Sequence, residues 1–137
     1  MDDLRHLRPG RTEYPRTLDP GLLDTFPNPR PGRAYTIRFE TGEVTSLCPV
    51  TGQPDFYRVA IDYVPAARCI ESKSLKLYLF SFRDTGLFAE DLANRMLDDL
   101  AGACAPGWMR VSCSMQPRGG IALEVTAEHG RRDGERT

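Results

Sequence analysis

A cysteine and an aspartate seven residues apart are the side chains of this sequence best suited to covalent chemistry. Cys48 and Asp55 lie in a stretch, residues 45–55, that also holds two prolines and a glycine. Because proline fixes φ and removes a backbone donor, this composition predicts a rigid loop and neither a strand nor a helix. A thiolate is a nucleophile, and a neighbouring carboxyl group can carry protons. The pair therefore suggests a nucleophile beside a proton-transfer partner.

Each of these residues also has an ordinary structural interpretation. Cys48 could be a small buried hydrophobe in a turn, and Asp55 could cap that turn. Glu90 could serve only the dipole at the start of a helix, and Arg118 could be a turn residue without function. A basic helix face could simply be solvated; its residues are Lys73, Lys76 and Arg83. The residues alone leave both interpretations open.

Other catalytic and metal-binding classes lack the residues that they need. The two histidines, His6 and His129, lie near the ends of the chain. A Ser-His-Asp or Cys-His relay and a histidine-rich metal site are therefore not expected. The sequence has neither dinucleotide nor phosphate-loop fingerprint. Its four cysteines form no C-x-x-C pair, so no metal site and no disulfide framework is predicted.

Composition indicates one soluble domain. The chain has 137 residues, 40% of them hydrophobic and 27% charged, with a formal net charge of −1. This balance gives no reason to expect a nucleic-acid partner or an anionic membrane. No apolar run approaches the roughly 20 residues that span a bilayer, and the N-terminus has no apolar signal region. We therefore expect a cytoplasmic protein with reduced thiols.

Hydrophobic periodicity predicts six elements that must position these side chains. Period-two alternation predicts four strands, over residues 34–40, 56–64, 108–115 and 121–125. Helical spacing predicts two helices, over residues 72–82 and 87–104. The order strand, strand, helix, helix, strand, strand predicts an α+β domain with an antiparallel four-stranded sheet and both helices on one face. Open sheet edges predict pairing with further copies of the chain.

The ends of the chain differ in composition from this domain. Residues 1–33 contain six prolines and are predicted to form an N-terminal arm that lies on its own or a neighbouring subunit. Residues 34–128 hold the single catalytic domain. Residues 129–137 form a charged tail with little to bury, which predicts disorder.

Four short segments carry a recognisable combination of motifs in chain order. They are residues 26–29, 46–56, 71–78 and 117–121. Together they resemble the NADPH-dependent 7-cyano-7-deazaguanine reductases, the nitrile reductases of queuosine biosynthesis, over about residues 20–125. The resemblance implies the tunnelling fold, NADPH as cofactor, and a homo-oligomer with active sites at subunit interfaces. The implied substrate is a small 7-deazapurine nitrile, with no direct nucleic-acid partner.

The resemblance also implies roles for individual residues. Cys48 adds to the nitrile to give a covalent thioimide, and Asp55 supplies protons to the nitrogen while NADPH delivers hydride twice. Glu90 grips the guanidine-like edge of the base, because a carboxylate meets two parallel N–H groups. The residues implied to line the deazaguanine pocket are Ile70, Glu71 and Ser72. The implied partners of the cofactor phosphates are Lys73, Lys76 and Arg118.

One departure from the family pattern falls in the implied substrate site. The family usually has Phe-His-Glu at the start of the second helix, whereas this chain has Phe88, Ala89 and Glu90. Alanine can neither hydrogen-bond the substrate nor assist proton transfer. We therefore expect slower reduction or weaker substrate binding. A second departure is Leu92, where some members carry a cysteine that can pair oxidatively with the nucleophile.

Two alternative functions follow from the same residues. Ala89 motivates a deazapurine-binding protein with weakened catalysis. A tRNA-acting amidinotransferase relative uses the same cysteine without NADPH. That relative is distinguished from the reductases by the loss of the signature over residues 71–76. The signature is intact here. The reductase is therefore the preferred interpretation.

Overall fold

A computed structural model of the chain describes residues 4–7 and 12–132. After a 3-10 turn over Pro20–Leu22, four strands precede the helices: β1 (Thr25–Pro27), β2 (Ile37–Leu47), β3 (Pro54–Val64) and β4 (Arg68–Ile70). Two helices follow, α1 (Ser72–Phe80) and α2 (Ala89–Cys104). Two final strands complete the fold, β5 (Trp108–Arg118) and β6 (Ile121–Gly130).

The four long strands form one antiparallel sheet in the order β2-β3-β5-β6, and the short strands β1 and β4 pair separately. Helix α2 packs against β5 and β6, while α1 packs near β2. This arrangement confirms the predicted α+β class and the predicted order of two strands, two helices and two strands. The two short strands were not predicted, because three residues are too few to show a period.

The strands extend beyond the predicted limits on both sides of the cysteine segment. Strand β2 continues through Leu47 and β3 begins at Pro54, so the loop predicted over 45–55 is confined to 48–53. Proline is tolerated as the first residue of a strand, where its missing N–H breaks no ladder bond. Strand β5 likewise continues through Pro117, and the turn is made by Gly119 and Gly120, with φ of +61° and +78°.

The core lies between the helices and the sheet face that they cover. Its largest fully buried side chains there include Tyr57, Ile61, Tyr78, Phe82, Leu92 and Met96. Each large apolar side chain removed from water contributes about 1.5–3 kcal/mol. Within the described chain, neither helix is long and apolar enough to cross a membrane.

The predicted N-terminal arm lies on its own domain where it is described. Strand β1 pairs with β4, and Leu23 is buried in the core. Asn28 Nδ2 donates to the carbonyl oxygen of Ala66 over 2.7 Å. At the other end, β6 reaches Gly130, two residues past the predicted domain limit at 128, because it pairs there with Trp108. Residues 133–137 of the predicted tail, and 1–3 and 8–11 of the arm, lie outside the described residues.

Candidate active site

A tight turn between β2 and β3 presents Cys48 at the end of the sheet. The amide of Cys48 donates to the carbonyl of Gln53, and the amide of Gly52 donates to the carbonyl of Cys48, both over 2.8 Å. Gly52 has a φ of +73°, which glycine adopts without the steric penalty that other residues incur. The turn leaves the Cys48 side chain half-buried. The thiol is therefore both held in place and accessible.

The connection between α1 and α2 fixes this turn from the side. The Leu47 amide donates to the Thr85 carbonyl over 2.9 Å, and the Leu87 amide donates to the Leu47 carbonyl over 3.1 Å. A side chain at Gly86 would place its Cβ 3.4 Å from the Cα of Pro49, so the two loops are in close contact. This pairing brings the start of α2, with Glu90, to the Cys48 end of the molecule.

The surroundings of Cys48 favour its thiolate. A hydrogen bond from the Thr51 hydroxyl lowers the pKa of Cys48 most, and the backbone amides of Thr51 and Val50 lower it further. Partial burial and the charge of Asp55 oppose this effect. Burial instead raises the pKa of Cys104 and of Cys113 to about 12. Since the thiolate is the nucleophilic form, Cys48 is the thiol suited to reaction.

Asp55 lies next to this turn as the second residue of β3. Its side chain is buried and forms an ion pair with Arg118, at the end of β5. The second guanidinium nitrogen of Arg118 donates to Gln53 Oε1 over 2.6 Å. Arg118 is half-exposed, so it covers Asp55 from the solvent side. The structure thus brings together Cys48, Asp55 and Arg118, which are up to 70 residues apart in sequence.

Two buried hydroxyl groups at this end were missed by sequence reasoning. Ser46 Oγ and Tyr57 Oη have no hydrogen-bond partner among the described residues. Burial raises the pKa of Tyr57 to about 12; Ser46 offsets part of this rise, and the charges of Asp55 and Glu90 add to it. Ser46 is thus close to Tyr57, although the two make no hydrogen bond of ordinary geometry. The sequence signal for this pair is the hydroxyl group of Tyr57, a polar group on the core-facing side of β3, two residues after Asp55.

The implied pocket residues around the start of α1 lie elsewhere. The Ile70 amide donates to the Tyr63 hydroxyl over 2.9 Å. Glu71 caps α1, with its carboxylate accepting from the amides of Lys73 (2.7 Å) and Ser74 (2.8 Å). Ser72 is the exposed first residue of the helix. The signature segment therefore has a structural function in starting α1.

Within one chain, this segment is remote from the Cys48 turn. Tyr63, which contacts Ile70, and Asp55 are eight residues apart on β3 and so about 26 Å apart. A bicyclic base is much shorter than this distance. The structure therefore does not bring Ile70 and Glu71 together with Cys48 in the same copy.

The three cations implied to bind the cofactor also lie in two separate places. Lys73 and Lys76 lie one helical turn apart on α1, and the Lys76 ammonium is 5.4 Å from the centre of the Tyr14 ring. A groove of about 270 Å³ lies between α1 and the β2 side of the sheet, and its lining includes Ser72 and Lys76 but not Lys73. Arg118 lies instead beside Asp55.

The two residues that open α2 differ in exposure. Ala89 is buried and packs in the core, whereas Glu90 is exposed in the first turn. Phe88, the N-cap residue, makes no side-chain cap and is exposed. Glu90 is therefore available to a ligand, and a larger side chain at position 89 must find room in the core.

Comparisons with known proteins identify relatives of this chain. The model of the QueF-like protein family matches residues 54–134. A protein of Anaeromyxobacter dehalogenans (strain 2CP-C) is 56% identical over 110 residues, which cover 80% of this chain and 90% of the relative. A protein of Thiobacillus denitrificans (strain ATCC 25259 / T1) is 55% identical over 112 residues, covering 82% and 80%. Both relatives are named NADPH-dependent 7-cyano-7-deazaguanine reductase.

A solved structure has the same architecture. The crystal structure of the archaeosine synthase QueF-Like in the apo form superposes with a TM-score of 0.66 at 26% identity. It covers 71% of this chain and 95% of that one. The predicted tunnelling fold is thereby confirmed.

Proposed function

The chain belongs to the family of NADPH-dependent 7-cyano-7-deazaguanine reductases, and we propose that it reduces the nitrile of 7-cyano-7-deazaguanine to the aminomethyl amine in queuosine biosynthesis. The observation that carries this proposal is the activated Cys48 thiol beside the buried Asp55 carboxylate. The names of the relatives supply the substrate and the cofactor.

Cys48 begins the proposed reaction. Its sulfur forms a bond to the nitrile carbon, one π bond of the C≡N group breaks, and the nitrogen takes a proton to give a thioimide. The Thr51 hydroxyl and the turn amides favour the thiolate that makes this attack. The covalent bond holds the substrate through the first reduction step. The C–S bond then breaks, which returns the Cys48 thiolate and leaves an imine for the second reduction step. NADPH, when bound, supplies a hydride for each of these steps.

Asp55 carries protons to the nitrogen in this proposal. A carboxylate in an ion pair with Arg118 has no proton to donate, so Arg118 must move before Asp55 can act. Arg118 is half-exposed and belongs to the proposed phosphate-binding set, which allows an anionic ligand to compete for it. Departure of the guanidinium frees the Asp55 carboxyl group to carry a proton to the substrate nitrogen.

The substrate is held by residues from two copies of the chain. Glu90, exposed at the Cys48 end, binds the guanidine-like edge of the base. Ile70, Glu71 and Ser72 line the pocket of a neighbouring copy, because in one chain Tyr63, which contacts Ile70, lies about 26 Å from Asp55. The Glu71 carboxylate is already the cap of α1, so Glu71 contributes through its backbone. A homo-oligomer with active sites at subunit interfaces follows.

Lys73 and Lys76 suit the cofactor phosphates. They lie one helical turn apart on α1, and Lys76 lines a groove of about 270 Å³. Ammonium groups on flexible stems bind phosphate oxygens as point charges. Arg118 adds a third cation from the Cys48 end of another copy. We place the reaction in the cytoplasm, where thiols stay reduced.

The test is an assay of the purified protein with 7-cyano-7-deazaguanine, with and without NADPH. Without NADPH we expect a covalent adduct, visible by absorbance and by an added substrate mass on the peptide that holds Cys48. With NADPH we expect two molecules oxidised for each amine formed. Cys48→Ala should abolish both signals.

Two outcomes would contradict the proposal. If Cys48→Ala reduces the nitrile as fast as the parent protein, the covalent mechanism is wrong. If the Cys48 adduct forms but NADPH is not oxidised, the reductase is excluded. The second result favours a deazapurine-binding protein or an amidinotransferase that needs no NADPH.

A further inference from the structure

Two buried hydroxyl groups beside Asp55 lack hydrogen-bond partners. Ser46 is fully buried and Tyr57 is 2% exposed. Neither Ser46 Oγ nor Tyr57 Oη has a partner among the described residues. A buried hydroxyl without a partner costs about 1–3 kcal/mol, and folded proteins seldom leave one unpaired. Two unpaired hydroxyl groups at one place therefore need a functional explanation.

Comparable hydroxyl groups elsewhere in the core are paired. Tyr63 Oη accepts from the Ile70 amide, and Tyr78 Oη donates to Asp99 Oδ2 over 2.6 Å. Ser74 Oγ donates to the Glu71 carbonyl over 2.8 Å. The fold thus satisfies hydroxyl groups where they serve structure only. The unpaired ones lie at the Cys48 end.

The strand register places both hydroxyl-bearing residues next to Asp55. Ser46 on β2 lies directly opposite Asp55 on β3, and residues paired in this way have Cβ atoms about 5 Å apart. Tyr57 follows Asp55 by two residues, so both project from the same face of β3. Among charged groups, Asp55 has the largest effect on Tyr57.

We propose that Ser46 and Tyr57 are positioning residues that hold the Asp55 carboxyl group in its reactive orientation once Arg118 has left it. This inference deepens the proposed function and rests on it. Arg118 holds Asp55 from the solvent side, and the two hydroxyl groups are the donors available on the buried side. Because neither is engaged elsewhere, they can bond the carboxyl group without breaking an existing hydrogen bond.

The test compares Tyr57→Phe with Tyr78→Phe in the full-length protein. Tyr57→Phe removes an unpaired hydroxyl, so its unfolding midpoint should stay equal to or above that of the parent. Its kcat should fall about tenfold or more, as expected for a lost hydrogen bond to a charged group. Non-covalent affinity for 7-cyano-7-deazaguanine, measured in a Cys48→Ala background, should stay within about twofold. The solvent isotope effect on kcat in D2O should rise, because proton transfer becomes slower.

Tyr78→Phe is the matched control, since it removes a buried hydroxyl that is already paired with Asp99. It should lower the unfolding midpoint and leave the isotope effect unchanged. Ser46→Ala provides an independent test and should repeat the Tyr57→Phe pattern more weakly. Parent-like kcat and isotope effect in both site variants would overturn the inference. If the parent protein itself fails to oxidise NADPH, the proposed function fails instead, and the inference fails with it.

Discussion

The buried hydroxyl groups at the two ends of strand β3 differ in their hydrogen bonding. At the Tyr63 end, Ser74 Oγ accepts from the Asp24 amide, and the Tyr63 hydroxyl accepts from Ile70. At the Asp55 end, the hydroxyl groups of Ser46 and Tyr57 have no partner in the described chain. Both ends are equally buried, so burial does not explain the difference.

We infer that this difference separates residues that hold the fold from residues that serve a ligand. The signature segment at the start of α1 uses Glu71 as a cap and Ser74 to hold the arm. Its polar atoms are satisfied before any substrate arrives. The Cys48 end retains an activated thiol, an ion-paired carboxylate and unpaired hydroxyl groups, at a cost in stability. Buried hydroxyl groups without a partner therefore distinguish the Cys48 end, although Trp108 Nε1, opposite Val64 at the other end of β3, is also buried without a partner in the described chain.

The largest expected effect concerns thiol reactivity at the two kinds of site. Because the pKa of Cys48 is lowered while that of Cys104 and of Cys113 is raised to about 12, their thiolate populations at neutral pH differ widely. We expect iodoacetamide to label Cys48 at least about a thousandfold faster. Peptide mass spectrometry over time measures the rates, with Cys48→Ala as control. If Cys104 in the folded protein is labelled at a rate comparable to that of Cys48, the predicted difference in thiol reactivity is wrong.

The second effect concerns Ala89 at the Cys48 end. Ala89→His introduces the side chain that the family resemblance implies at this position, and we expect turnover to rise about tenfold through a positioned acid or base. Because Ala89 is buried, the added volume should cost about 1–3 kcal/mol of stability. Ala89→Leu carries similar bulk without a ring nitrogen and serves as the control. An equal rate change in both variants would show that bulk, not proton transfer, is responsible.

The third effect concerns the satisfied end. Ser74→Ala removes a hydroxyl that donates to the Glu71 carbonyl and accepts from the Asp24 amide. We expect a loss of about 1–3 kcal/mol in the free energy of unfolding, measured by urea denaturation. Adduct formation at Cys48 should keep its parent rate below the transition. Ser112→Ala, which breaks only an exposed bond to Thr126, should lose less than about 0.5 kcal/mol.

The smallest effect concerns the pH dependence of adduct formation. Thiolate increases with pH, so the rate should rise through the pKa of Cys48. The Thr51 hydroxyl lowers that pKa, so Thr51→Val should move the rise to higher pH. Thr51→Ser keeps the hydroxyl and should follow the parent profile. A profile unchanged in Thr51→Val would show that the turn amides alone activate the thiol.

Much of the fold could be predicted because its signals are local. Alternation gave four strands and helical spacing gave two helices, and each element occurs near its predicted position. The limits were less accurate, since Pro54 and Pro117 indicated loops but lie within strands. The hydrogen-bonded ladder of the sheet on each side of these prolines outweighs the preference of proline for loops.

The sequence by itself determined the nucleophile turn, the element order and the family, because these depend on neighbouring residues and on short motifs. Only the tertiary structure showed that Arg118 pairs with Asp55, 63 residues away, and that Ile70 and Glu71 lie far from Cys48 in one chain. It also showed that Ser46 and Tyr57 are unpaired beside Asp55. Strand register decides these relations, since it sets which distant side chains meet, and no local pattern encodes it.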